Sequence, residues 1–203
     1  MAGDSRERIV QAALEALRTK GFGGASARTI ASLAGVNPGL IFYYFTSLDE
    51  LLLAALRESS EERLERYRDA AEGVRTPQEL VALLRGIYEE DTASGHVRVV
   101  CEMVAGSVAR PPLGRAVMAL MEPWVALAER SVERVLAGSP VAQLASPREL
   151  ALAGVTFYLG ANLVTHLAEA PDAVDDLLAS AERAAGLVGL LGLAARGDGG
   201  PAG

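Results

Sequence analysis

At 203 residues, half of them hydrophobic, the chain is long enough for one large domain or a small module joined to a larger one, and too apolar for a disordered segment. The apolar share is mostly Ala, Leu and Val with 5% aromatics, which favours helix bundles over β-sandwiches, and the lone Cys101 excludes an intrachain disulfide or a multi-cysteine zinc site. The net charge of −7 hides an asymmetry. Residues 1–46 carry Arg6, Arg8, Arg18, Lys20 and Arg28 against Asp4, Glu7 and Glu15, a balance of +2, which leaves −9 for the rest. A basic head on an acidic body suits a protein of which only the head meets phosphate.

In chain order, the pattern predicts nine helices at about 4–21, 27–34, 38–45, 47–72, 77–93, 96–109, 113–137, 147–169 and 172–195. No run alternates apolar and polar residues for long enough to argue for a strand. The fold class expected is therefore all-α. Helix starts are marked by capping boxes, in which a Ser or Thr and a Glu three residues on satisfy each other's backbone N–H groups. These are Ser47–Glu50, Thr76–Glu79 and Ser146–Glu149, with Asp4–Glu7 as a fourth, while Asn37-Pro38 pairs a cap with an N1 proline. In the fourth helix, Leu53, Leu56, Ser60, Leu64, Tyr67 and Ala71 step along one face. Pro123 is expected to kink or split the seventh. Leu150–Ala168 has no formal charge, but Thr156, Asn162, Thr165 and His166 argue for a buried or interface helix over a membrane span. The charged N-terminus lacks a signal-peptide core, so a cytoplasmic protein is expected. The glycine-rich 197–203 is expected to be disordered.

The segment Ser26 to Ser47, SARTIASLAGVNPGLIFYYFTS, carries the functional signal. A first short helix is expected to bury Ile30, Leu33 and Ala34. Gly35 permits the left-handed turn that ends it, Val36 plugs the corner, and Asn37 starts the next helix. A tight glycine turn between two short helices is the helix-turn-helix pattern, whose second helix enters the major groove. Phe42 and Phe45 are expected in the core. Tyr43 and Tyr44 adjoin on a helix, so at least one should face outward.

Arg28 to Leu51 resembles the tetracycline-repressor (TetR) family: Ile-Ala, three residues, Gly-Val, an aromatic-rich helix ending in Phe, then Ser and an acidic residue before Leu. The quoted match covers about an eighth of the chain. The resemblance implies a three-helix helix-turn-helix domain over 1–46 and a helical ligand-binding and dimerisation domain over 47–196. It implies that Arg28 reaches a base or phosphate and that Asn37, Pro38, Gly39 and Leu40 open the reading helix. Tyr43 and Tyr44 would give hydroxyls to phosphates, and Ser47 would bind phosphate at a helix N-terminus. With Ser26, these form the DNA-binding set. Two positions depart from the family pattern: Phe42 where Tyr is usual, and Leu48 where a phosphate-binding Lys is usual. No Lys or Arg lies between Arg28 and Arg57, so base reading must be apolar, amide-based or shape-based.

The body offers chemistry only in outline. Cys101, Met103, Met118, Met121 and Trp124, with Tyr158, Asn162 and His166 at i, i+4 and i+8, are candidates for a small-molecule pocket: adaptable apolar walls with a few polar groups to fix orientation. A stripe of Leu150, Gly154, Phe157, Ala161, Val164 and Ala168, with Ala181, Ala185, Val188 and Gly192 on the last helix, is a candidate homodimer face. No nucleophilic triad, phosphate loop or glycine fingerprint is present, and His96 and His166 are the only imidazoles, so no enzyme, cofactor or metal is expected. The expectation is a ligand-responsive regulator, a repressor, that binds palindromic operator DNA as a homodimer and is released by a small apolar or amphipathic effector. Two rivals stay open: a helical enzyme or cofactor-binding bundle without DNA affinity, and a regulator that senses a protein or nothing.

Overall fold

A computed structural model of the protein describes residues 2–167 and 172–197. Among them are nine α-helices: α1 (Ala2–Gly24), α2 (Ala27–Ala34), α3 (Pro38–Tyr44), α4 (Leu48–Gly73), α5 (Pro77–Ser94), α6 (His96–Ser107), α7 (Pro111–Leu136), α8 (Pro147–Leu167) and α9 (Asp172–Gly197). A single 3-10 turn, Pro140–Gln143, precedes α8, and no strand occurs among the described residues. Ala168 and the tail beyond Gly197 lie outside them. No single helix among the described residues is long and apolar enough to cross a membrane.

The chain divides into two compact units, Met1–Leu64 with Asp91–Glu122, and Glu65–Glu90 with the residues from Pro123 onward. In the first unit α1 buries Ile9, Val10, Ala13, Ala16 and Leu17, the spacing of a helix with one apolar stripe. Ile30 of α2, Ile41 of α3, Leu51 and Leu52 of α4, and Val97 and Met103 of α6 complete this core. The helical conformation of α1 breaks at Gly21, whose φ of +69° is costly for any residue with a Cβ. The next residue, Phe22, donates its N–H to the Glu102 carboxylate of α6 at 2.8 Å. Asp4 does not cap α1: it lies within the first turn, 3.8 Å from Arg8.

Arg63 of α4 and Asp91 of α5 form a buried ion pair in the first unit, and Ser59 and His96 Nδ1 share a hydrogen bond of 3.0 Å. The buried positions of α4 include Leu52, Ala55, Leu56, Arg63, Tyr67 and Ala71, whereas Leu53, Ser60 and Leu64 of the expected stripe are half-buried. A charged residue interrupts the buried face because its partner comes from 28 residues further along the chain.

In the second unit Tyr88 of α5, Ala161 of α8, and Val174 and Leu178 of α9 form a buried cluster, with Phe157 and Tyr158 packed against it. Arg85 of α5 reaches Glu182 of α9 at 2.7 Å, and Arg134 of α7 donates to the Ala71 carbonyl at 3.0 Å. Pro123 does not split α7, which is helical from Pro111 to Leu136.

The capping boxes fold largely as their sequence demands. Thr76 Oγ1 accepts from the Glu79 N–H at 3.2 Å, and Glu79 accepts from the Thr76 and Arg75 N–H groups at 3.1 and 2.7 Å. Ser146 and Glu149 make the same reciprocal pair at 3.3 and 2.8 Å. The hydrogen bonds to backbone N–H groups hold both carboxyls below the usual carboxylate range.

Candidate nucleic-acid interface

The helix-turn-helix is assembled by local backbone chemistry. Ser26 caps α2 by accepting from the Thr29 N–H at 3.1 Å. Gly35, in the left-handed region at φ +64° and ψ +38°, ends α2, and the Val36 N–H closes the turn on the Ala31 carbonyl at 3.0 Å. Asn37 then caps α3 by accepting from the Gly39 N–H at 2.8 Å, with Pro38 in the first helical position. Three residues therefore separate the two helices.

Successive residues of a helix turn by about 100°. Ile41 points into the core, as does Phe45 at the end of α3, and Leu40 and Tyr44 are half-buried. The opposite arc, Pro38, Gly39, Phe42 and Tyr43, is exposed. Tyr43 is 78% exposed and Phe42 56%, so Phe42 is not the core residue expected of it. Leu33 is likewise 48% exposed, although Ile30 and Ala34 beside it are buried as expected. An eight-residue helix turns only one stripe inward, and Ile30, Ala31 and Ala34 occupy it. The rings of Tyr43 and Tyr44 meet edge to face, their centroids 5.0 Å apart.

Much of the head's positive charge is committed within the first unit. Arg6 pairs with Glu58 at 2.8 Å and lies over the Phe45 ring at 5.4 Å, and Arg18 pairs with Glu15 and donates to the Ser94 carbonyl at 3.4 Å. Arg28 and Lys20 are exposed. Ser47 Oγ accepts from the Glu50 N–H at 3.1 Å, which leaves its hydroxyl proton to bond elsewhere. The Glu50 carboxylate, however, reaches past Ser47 to Thr46, accepting its N–H at 2.7 Å and its hydroxyl at 2.5 Å. These bonds hold the Glu50 carboxyl below the usual range and place a negative charge beside this helix start.

The family profile described as "Bacterial regulatory proteins, tetR family" matches residues 9–55, which span α1 to the first turns of α4. Over this segment the chain is similar to the TetR family. It is 29% identical over 110 residues to the HTH-type transcriptional regulator UidR of Escherichia coli (strain K12), a match covering 54% of this chain and 55% of that relative. The chain thus spans about half the length of the curated relative. Among solved structures, a TetR-family transcriptional regulator from Rhodococcus sp. superposes with a TM-score of 0.72 at 21% identity, covering 92% of this chain and 99% of that one. FadR from Bacillus subtilis, solved in complex with stearoyl-CoA, gives 0.68 at 16% identity and covers 90% and 97%. These two likenesses show that the TetR fold extends over the body as well as the head.

The eight candidate pocket residues are distributed over both units. In the first, Met103 is fully buried, Cys101 and Met121 are half-buried, and Met118 is exposed on α7. Burial, with the neighbouring Glu102 charge, pushes the Cys101 thiol pKa up and so keeps it protonated. In the second, Trp124 packs against Tyr67 with ring centroids 6.2 Å apart, and Tyr158 meets Tyr88 edge to face at 6.2 Å. The side chains of Asn162 and His166 lie outside those described. The Tyr88 and Thr165 hydroxyls are 3.2 Å apart, and the Tyr67 hydroxyl donates to Glu90. Sequence reasoning placed Tyr67 on the apolar stripe of the fourth helix and Thr165 in the charge-free helix without giving either a pocket role, and it did not single out Tyr88. Tyr67 and Tyr88 stand beside charged residues (Arg66, Arg68 and Glu89), so their local pattern carries no signal for such a role. Within the first unit, α1, α4 and α6 border a cleft of about 220 Å³ lined in part by Gln11, Arg18, Ser59, Arg63 and His96.

The candidate dimer stripe is partly internal. Ala161 and Ala185 are buried within the chain, and Phe157 packs on the Tyr88 cluster. Val164 of the stripe is exposed, and among the described residues the other exposed large aliphatics of these helices are Leu152 and Leu163 on α8 and Leu177 and Leu187 on α9.

Proposed function

We propose that this chain is a TetR-family regulator, a repressor that binds palindromic operator DNA as a homodimer through α8 and α9 and is released by a small apolar or amphipathic effector. Residues 1–46 are the reader, and residues 47–196 bind the effector and the second subunit. The observation that carries the reading is the outward arc of α3, where a capped, seven-residue helix turns Pro38, Gly39, Phe42 and Tyr43 to solvent beside a tight glycine turn. Such a helix enters the major groove N-terminus first, and phosphate partners fix its register.

The second-unit aromatics Tyr67, Trp124, Tyr88 and Tyr158 support a ligand with an apolar body and a polar end. The likeness to an acyl-CoA-bound FadR is in keeping with that class. The exposed aliphatics Leu152, Leu163 and Val164 of α8 and Leu177 and Leu187 of α9 support self-association, because large apolar side chains left uncovered on two helices of one unit suit a second apolar surface. A two-fold dimer would then present readers about 34–36 Å apart to a palindrome.

In vitro selection from random DNA, followed by gel-shift titration, tests the reading. The expected product is a palindromic site whose two halves are one DNA turn apart, bound with a shallow salt slope because few cations face the groove. Tyr43→Ala is expected to weaken all sequences alike. Asn37→Ala combines loss of a base contact with loss of the α3 cap, so part of its effect should also appear in a melting curve. Recovery of no enriched sequence would refute the proposal.

A further inference from the structure

We infer that Phe42 reads the C5-methyl group of a thymine, making an apolar contact the sequence-specifying one in each half-site; this rests on the DNA-binding reading of α3 given above. Three observations lead there. Phe42 is 56% exposed although the buried side of α3 is filled by Ile41, with Phe45 sealing its end. On the same arc Gly39 has no side chain and Pro38, one turn before, only a short ring, so neither covers the phenyl group. Its position also carries no hydroxyl and so has no bond to offer a phosphate or a base edge.

What remains is apolar complementarity. The major groove presents hydrogen-bonding atoms on every base pair but only one apolar group, the thymine methyl. A phenyl ring at the groove therefore discriminates A·T from G·C by methyl burial rather than by hydrogen bonding. Tyr43, on the same arc but carrying a hydroxyl, takes the backbone instead. The absence of any Lys or Arg between Arg28 and Arg57 removes the usual reader of guanine from this helix.

The experiment begins with the sequence selected by the full-length wild-type protein. Each thymine of one half-site is replaced in turn by deoxyuridine, which lacks only the methyl group. One position is expected to weaken wild-type binding roughly fourfold, the effect of one buried methyl. Phe42→Ala should bind more weakly overall and show no response to uracil at that position, whereas Phe42→Leu should keep part of it. As Phe42 is exposed, an unchanged melting temperature shows that neither variant acts through folding. A selected site that tolerates uracil everywhere, or responds equally in Phe42→Ala, overturns this inference while leaving DNA binding intact. Failure to select any sequence overturns the DNA-binding reading and the inference with it.

Discussion

The two compact units solve opposite problems with their apolar residues. In the first, the short capped helices α2 and α3 close a core with α1 and α6 around Ile9, Leu17, Ile30, Ile41 and Met103, and the exposed large apolar groups of α2 and α3 are Leu33, Phe42 and Tyr43. In the second, long helices leave Leu152, Leu163, Val164, Leu177 and Leu187 exposed along α8 and α9. A side chain exposed on a seven-residue capped helix can address a narrow target such as a base edge. A row of aliphatics spread over two helices can only be satisfied by a surface of similar length. The polar interiors differ too. The first unit buries a charge pair and an imidazole, Arg63–Asp91 and His96, whereas among the described residues the second buries no charged side chain and its buried polar groups are hydroxyls, those of Ser131, Ser139, Tyr67 and Tyr88.

This contrast can be broken, and the largest effect is expected at the buried pair. Asp91→Ala leaves the Arg63 guanidinium buried without its carboxylate, which should destabilise the protein by about 3–5 kcal/mol. A fall in the urea midpoint checks it; a change below about 1 kcal/mol would show that the first unit does not depend on its buried charge.

A pH titration gives the next effect. Burial, then the adjacent Arg63 charge, pushes the His96 imidazole down to about 4 from its usual 6.5. The neutral ring is thus favoured in the fold, and its contribution is fully present above about pH 6.5. It is lost progressively as pH falls toward 4, in total on the order of 3 kcal/mol. His96→Gln should be less stable at neutral pH but flatter between pH 6.5 and 4, as followed by thermal melts.

The second unit is tested at its exposed face. Leu177→Glu or Leu163→Glu should weaken self-association about a hundredfold, about 2–3 kcal/mol, and sedimentation velocity should then show monomer at micromolar concentration. Ala161→Glu, at a buried site, should instead lower the melting temperature. Dimers unaltered in both leucine variants would mean that this face has another use. The smallest effect is expected at a cap: Thr76→Ala should cost roughly 1 kcal/mol, seen as a small drop in the same urea midpoint.

The sequence by itself determined what depends on neighbours within a few residues. Helix starts at Thr76, Ser146 and Asn37, the glycine turn at Gly35 and hence the helix-turn-helix were legible because backbone N–H groups and φ angles are satisfied locally. The family match over 9–55 falls on this same locally encoded segment. What the tertiary structure alone decided was which side of each element faces inward and which partner meets it. Phe42 and Leu33 turned outward because the inward side of each short helix was already filled. Glu50 chose Thr46 over Ser47, and Arg63 found Asp91, through geometry that no spacing rule encodes. Within the stripe expected to face a second subunit, Ala161 and Ala185 lie inside the chain while Val164 stays exposed, because small residues suit close packing within a subunit as well as between two. Helical periodicity shows that a face is apolar; only the packed chain shows what covers it.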